Sequence, residues 1–171
     1  MNIWFEGGGF ACTWSYGVAE AFLEVGLIPQ NSGGYSAGSM LGIMILTPQI
    51  DPDRLFASIA NMPHGPARGT LALVGKHEVN LKHFIEEILG DPREWDSAPY
   101  QSRLHIPIRP LTRLRGSWRT RWRDYDDLLE CSIATQCIPP IAHSAPSTCW
   151  LDDGWSVRGS TVDGGLFSRV P

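Results

Sequence analysis

The sequence predicts an α/β fold in which a largely parallel sheet is flanked by helices. Short apolar segments of strand length alternate with longer segments of helical periodicity along the 171 residues, which is the pattern of βα units. A glycine-flanked serine, Ser36, also stands directly before the apolar run 40–46, as at a tight strand-to-helix turn. No internal repeat or linker interrupts the pattern, so we expect one domain spanning residues 1–171.

The first element is a short buried strand at residues 2–5, which runs into three glycines. Thr13 is a suitable N-cap for a helix over about residues 14–25, and Gly26 follows as a suitable C-terminal residue. The apolar residues of this helix recur at helical spacing, and they predict a buried face made of Val18, Ala21, Phe22 and Val25.

The remaining elements continue the alternation. We expect helices from Ser36 to before Thr47, from Asp51, over Val79–Leu89 with Gly90 at its end, and from Asp124 towards Thr135, with a loop over 64–75. Strands are expected at 104–108, 118–123 and 161–162, and Pro107 indicates an edge or a bulge in the first of them. In the second, tryptophans alternate with arginines, which predicts one aromatic and one basic face.

Composition and spacing exclude several classes of function. The four cysteines form no C-x-x-C pair and the five histidines are scattered, so no metal site and no cofactor is expected. A net charge of −4 gives no reason to expect nucleic acid as a partner. The chain has no basic region typical of a signal peptide and no apolar stretch of membrane-spanning length. We therefore expect a cytoplasmic protein, with peripheral membrane contact as an open alternative.

Three segments have the residue types of an acyl-transfer site. Ser36 is flanked by Gly34 and Gly38, where a β-carbon would obstruct a nucleophile elbow. The segment Gly7-Gly8-Gly9 lies between a strand and a helix and can present backbone N–H groups to an oxyanion. Asp163 follows the last strand and precedes two glycines. The simpler alternatives are a serine that only caps a helix and a common Asp-Gly turn.

The order of the residues bears on the choice of base. An α/β-hydrolase triad runs serine, acid, histidine, but no histidine follows Asp163. A triad would therefore need His143, with Asp124, Asp126 or Asp127 as the acid. The alternative that fits the order better is a dyad in which Asp163 acts directly on Ser36. A carboxylate is a weak base for a hydroxyl, so this dyad requires a desolvated Asp163 and strong oxyanion stabilisation.

Together these segments resemble the patatin-like phospholipases. The resemblance covers nearly the whole chain, and it is carried by the blocks Gly7–Cys12 with Gly17–Val18, Gly34–Gly38, Ser132–Pro140, Asp163–Gly165 and the tail 166–171. It implies a three-layer patatin-like sandwich and a metal-independent lipid acyl hydrolase that acts on a lipid or acyl ester. Ser36 would be the nucleophile and Asp163 the base. The oxyanion hole would lie around Gly7, Gly8, Gly9 and Phe10.

Some features depart from the family pattern. Ala11 and Cys12 occupy places where the family usually has a basic residue and a glycine, and the chain ends soon after Asp163. A catalytically silent lipid-binding or interaction domain therefore remains an alternative, as does a compact or truncated form of the enzyme. The oligomeric state is not predicted. The seven arginines from Arg103 to Arg123 would form either a solvated face or a docking site for an anionic lipid surface. The tryptophans Trp14, Trp118 and Trp122 would either pack in the protein or contact lipid.

Overall fold

The computed structural model describes residues 1–8, 12–47, 53, 57, 77–112, 116–139, 146–151, 158–163 and 165. The predicted α/β fold is confirmed, because helices flank a mixed sheet. In chain order the elements are β1 (Asn2–Phe5), α1 (Cys12–Glu24), β2 (Asn31–Gly34), α2 (Ala37–Leu46), α3 (His77–Leu89), β3 (Leu104–Pro110), β4 (Ser117–Arg119), α4 (Tyr125–Ala134), β5 (Ser147–Trp150) and β6 (Arg158–Asp163). Of the predicted helix from Asp51, the structure describes residues 53 and 57, and both are helical. The predicted loop 64–75 lies outside the described residues.

The sheet is parallel in its first half and antiparallel in its second. β1, β2 and β3 pair in parallel, whereas β4 and β6 run antiparallel to β3 and β5 runs antiparallel to β6. β3 therefore lies inside the sheet, but Pro107 itself pairs only with Trp118 of β4, so the strand has a local edge at this residue as expected. The pairing with β2 ends at His105, and the missing N–H of Pro107 removes no bond from that ladder. Instead, the carbonyl of Pro107 accepts a hydrogen bond from the Thr135 hydroxyl.

The strand pairing brings the two predicted catalytic residues towards the same part of β3. Gly33 of β2 stands opposite His105, and Ser36 follows two residues after the end of β2. On β6, the residue paired with Ile108 of β3 is Asp163. Two segments that are 127 positions apart in sequence thus approach the same stretch of β3.

α2 is the central helix of the described core. All ten of its residues are buried, and it packs against β2 through glycines on both elements. A β-carbon added to Gly42 would lie 2.9 Å from the Cα of Gly33, which is closer than real β-carbons approach. The apolar run after Ser36 therefore has no solvent-facing side, and the helix is fixed directly against the strand that precedes it.

α1 differs from its predicted boundaries and orientation. It begins at Cys12, so Thr13 lies inside the helix and is not its N-cap. Its core contacts come from the buried Tyr16 and Ala19 and from the half-buried Phe22 and Leu23, so the prediction for Phe22 is confirmed, while Ala21 is exposed and Val25 is 74% exposed. The predicted buried face is therefore wrong in part: the helix is rotated so that Tyr16 and Ala19 face the core and part of the apolar stripe faces outwards. The helix ends as predicted, with Gly26 at a φ of +69°.

The predicted basic face of the 118–123 segment is also wrong at Arg119. This side chain is completely buried, and its Nη2 lies 2.7 Å from Oδ2 of the equally buried Asp127 on α4. The same guanidinium donates to the carbonyls of Trp150 and Arg121. Asp124 caps α4 as predicted, since its carboxylate accepts a hydrogen bond from the N–H of Asp127. β4 is therefore joined to α4 by a buried ion pair and presents no continuous basic surface.

Candidate active site

Ser36 stands at a strained turn between β2 and α2. Its φ is 55° and its ψ is −136°, a region of backbone space that costs a residue with a β-carbon about 1–3 kcal/mol. It occupies the N-cap position of α2, yet its side chain makes no capping hydrogen bond. The alternative that this serine only caps a helix is therefore contradicted. The residue is half-buried, so its hydroxyl is not enclosed by the core.

The glycines around Ser36 are required by close backbone contacts. A β-carbon on Gly34 or on Gly38 would overlap the carbonyl oxygen of Phe5, at the end of β1. A β-carbon on Gly7 would lie 2.9 Å from the β-carbon of Ser36 itself. The end of β1 and the start of the glycine triplet are thus pressed against the turn that carries the serine. Gly8 is exposed, and Gly9 and Phe10 lie outside the described residues.

Asp163 is the last residue of β6, and its side chain is only 3% exposed. Burial raises the pKa of this carboxyl, and hydrogen bonds from the Gly165 N–H and from Ser36 partly oppose that rise. The Gly165 bond is short, at 2.7 Å to Oδ1, whereas Ser36 has the smallest effect of the three on the pKa. Asp163 therefore forms the Asx turn that its sequence predicted, and the same carboxylate is also a partner of Ser36.

The structure describes the three candidate acids of the alternative triad, but His143 lies outside the described residues. Of the acids considered for it, Asp124 caps α4 and Asp127 pairs with Arg119, so two of the three have structural roles. Asp126 is exposed. Within the described part of the chain, no histidine or other cation is among the groups that shift the pKa of Asp163.

One residue of the site had no signal in the sequence. Thr135, at the end of α4, is completely buried, and its Oγ1 lies 3.4 Å from the backbone nitrogen of Ser36, from which it accepts a hydrogen bond. The same hydroxyl donates to the carbonyl of Pro107 at 2.6 Å. The Ser132–Pro140 block was singled out by its resemblance to a family motif, but nothing in it distinguished this threonine from a helix terminus.

No protein-family model matches this chain, and no curated protein sequence matches it. Among the described residues, no cluster of histidine, cysteine, aspartate or glutamate could hold a metal ion. In the same part of the chain, no helix combines the length and the apolar character needed to cross a bilayer.

The three tryptophans considered for lipid contact have different environments. Trp122 is buried in the core, and Trp118 packs edge-on against Trp4 with their ring centroids 4.7 Å apart. Trp14 is 78% exposed in the first turn of α1. Only Trp14 of these three therefore presents a large apolar surface to solvent. It lines a cavity of about 320 Å³ between α1 and β1, whose lining also includes Phe5 and Glu6, next to the glycine triplet.

Proposed function

We propose that this protein is a patatin-like lipid acyl hydrolase in which Ser36 and Asp163 form a catalytic dyad. The observation that carries the proposal is the conformation of Ser36: a strained serine at the start of a helix whose side chain leaves the helix uncapped and interacts with a buried carboxylate. Such strain persists only where the surrounding structure imposes it, and it is concentrated at functional sites.

In the proposed reaction, Asp163 accepts the proton of the Ser36 hydroxyl as Oγ attacks the carbonyl carbon of the ester. The tetrahedral intermediate collapses, and the alcohol leaves with the proton that Asp163 held. Water then attacks the acyl-Ser36 ester while Asp163 accepts its proton. Collapse of the second intermediate releases the fatty acid and returns the proton to Ser36.

The environment of Asp163 suits this role without a histidine. Burial disfavours the charged carboxylate and raises its pKa, which makes it a stronger base than an aspartate in water. A general base is most effective when its pKa is close to the working pH. The bond between Ser36 and Asp163 is expected to shorten when substrate is bound, because catalytic hydrogen bonds are often loose in the free enzyme.

Two groups would stabilise the oxyanion in the proposed reaction. Ala37 follows the nucleophile and is the first residue of α2, where backbone N–H groups have no acceptor within the helix. In serine hydrolases with a nucleophile elbow, the N–H of this residue is one donor of the oxyanion hole. Gly7, the first residue of the glycine triplet, lies against the β-carbon of Ser36. Cys12 begins α1, and helical backbone suits any L-residue, so a glycine is not needed at this position for a positive φ.

A lipid ester is the proposed substrate class, with peripheral contact at a membrane surface. Trp14 supports this proposal because an exposed indole near the glycine triplet suits the boundary between water and lipid. The rival proposals are the triad esterase that uses His143 and a catalytically silent lipid-binding domain.

The test combines hydrolysis of p-nitrophenyl esters with labelling by a fluorophosphonate, which reacts with activated serines. We expect the wild-type chain to hydrolyse the ester and to be labelled, and Ser36→Ala to lose both. Asp163→Asn should reduce the rate of hydrolysis by at least about 100-fold, since a general base contributes 10²–10⁴-fold. Two exposed residues provide matched controls: Ser160→Ala on β6 and Asp126→Asn on α4 should retain full activity.

Each rival has a distinct outcome. Loss of activity with His143→Ala, together with retention in Asp163→Asn, would replace the dyad with the triad. A folded wild-type chain that neither hydrolyses esters nor reacts with the fluorophosphonate would refute the enzyme and leave the silent domain.

A further inference from the structure

The end of α4 contacts the backbone of both proposed catalytic residues. Thr135 is the C-cap of this helix, and its N–H is held by the carbonyls of Cys131 and Ile133. Its hydroxyl accepts from the N–H of Ser36 at 3.4 Å. Two residues later, the carbonyl of Cys137 accepts from the N–H of Asp163 at 2.7 Å. A single turn of chain is therefore bonded to the nucleophile and to its partner.

The Thr135 hydroxyl also links this turn to the sheet. It donates to the carbonyl of Pro107 at 2.6 Å, and Pro107 precedes the residue that pairs with Asp163. With its one proton directed at Pro107, the oxygen has a lone pair for the N–H of Ser36. The side chain is completely buried and β-branched, so its rotamer is restricted and bulk solvent does not reach its hydroxyl.

We propose that Thr135 is a positioning residue, which uses one hydroxyl to hold the backbone of Ser36 and thereby sets the orientation of the serine side chain towards Asp163. This inference rests on the proposed dyad. It goes further by assigning the geometry of the dyad to a residue that touches neither the substrate nor the transferred proton. The strained φ of Ser36 aims its N–H at Thr135, and the hydroxyl is the acceptor that stabilises this orientation.

The test compares two substitutions at position 135. Thr135→Val keeps the shape and removes the hydroxyl, whereas Thr135→Ser keeps the hydroxyl and removes a methyl group. We expect Thr135→Val to lower kcat for a p-nitrophenyl ester by about 10- to 100-fold, because misplacement of a catalytic group by 1 Å can cost 100-fold. KM should change little, and Thr135→Ser should restore most of kcat. If Thr135→Val does not fold, Thr135→Ala replaces it under the same criteria.

A second threonine supplies the control for a purely structural effect. Thr161 on β6 is also completely buried, and its hydroxyl donates to the carbonyl of Ser147 without contacting Ser36. Thr161→Val should lower the urea midpoint as Thr135→Val does, yet retain the wild-type kcat. Equal losses of kcat in both variants would overturn the positioning role.

The pH profile gives a readout that a loss of packing alone would not move. Ser36 lowers the pKa of Asp163, so a Ser36 that has moved away leaves this pKa higher, and the acid limb of kcat/KM shifts to higher pH in Thr135→Val. Among the described residues, the Cys137 thiol is the titratable group whose own pKa is raised by the charge of Asp163. Burial raises the pKa of Cys137, so this thiol stays neutral across the acid limb.

The outcomes separate the two proposals. A Thr135→Val variant with wild-type kcat and an unshifted acid limb would refute the positioning role while the dyad stands. A wild-type protein without Ser36-dependent hydrolysis would refute both.

Discussion

A substitution at Gly42 tests the contact that fixes α2, and therefore Ser36, on the sheet. In Gly42→Ala, the new β-carbon would lie 2.9 Å from Cα, 3.1 Å from the carbonyl carbon and 3.2 Å from the nitrogen of Gly33. All three are backbone atoms of β2, so no side chain can rotate to make room. Because carbon atoms in contact prefer separations of about 3.5–4.0 Å, α2 must move from β2 by roughly 0.6–1 Å.

Two effects on stability oppose each other in this variant. Overpacking of a core typically costs about 1–3 kcal/mol, while alanine in a helix interior is about 1 kcal/mol more favourable than glycine. Gly42→Ala should therefore lower the free energy of unfolding by about 0–2 kcal/mol. The effect on activity should be larger, because Ser36 immediately precedes the displaced helix. We expect kcat to fall by up to about 100-fold.

Gly17→Ala is the matched control. Gly17 lies in α1, and an added β-carbon would meet nothing within 4 Å, so this variant has the gain in helix propensity without the clash. Urea unfolding should show Gly17→Ala to be about 1 kcal/mol more stable than the wild type, with unchanged ester hydrolysis. The difference between the two variants measures the clash. If Gly42→Ala is stabilised as much as Gly17→Ala and hydrolyses esters at the wild-type rate, the close contact between α2 and β2 does not exist.

Three further predictions follow from the burial of charge and of apolar surface. Since burial raises the pKa of Asp163, its charged form destabilises the fold at neutral pH, and Asp163→Asn should raise Tm at pH 7. This gain should vanish in acid, where Asp163 is protonated in the folded and in the unfolded protein. Asp127→Leu leaves Arg119 buried without its anion and should lower the free energy of unfolding, measured in urea, by about 3–5 kcal/mol. Adding Arg119→Met should restore much of the lost stability, and a double variant without such recovery would contradict the ion-pair assignment. Trp14→Ala should weaken binding to phospholipid vesicles, measured by cosedimentation, about tenfold. An equal loss of vesicle binding in the Val25→Ala control would argue against a specific role for the indole.

The site could be predicted from the sequence where its chemistry depends on local backbone geometry. Gly34 and Gly38 signalled an elbow because a β-carbon at either position meets the carbonyl of Phe5. Asp163 was identifiable because it follows a strand and precedes two glycines, and its turn depends on residues that adjoin it. The turn of Asp163 involves a residue two positions away, so a short motif carries the information. The two glycines meet the distant Phe5, and they were recognisable because they flank Ser36 closely in sequence.

Features that depend on distant partners could not be predicted in this way. β2 consists of asparagine, serine and two glycines, which have little strand propensity, and it is a strand because it pairs with β1 and β3. Arg119 lies in a run of arginines that resembled a solvated face, and only its contact with Asp127 shows why it is buried. Thr135 lies 99 positions from Ser36, so no local pattern indicates their hydrogen bond.

The strongest physical argument for a functional site is the concentration of unfavourable features at one place. Ser36 has a positive φ, and the one other described non-glycine residue with a positive φ is Ser102. Its partner Asp163 is a buried carboxylate whose charged form is disfavoured, with two hydrogen bonds that only partly offset the burial. A sequence selected for stability alone would relieve such features by glycine at position 36 or asparagine at position 163. Their presence together, with the end of α4 bonded to the backbone of both residues, is the physical support for the proposed dyad.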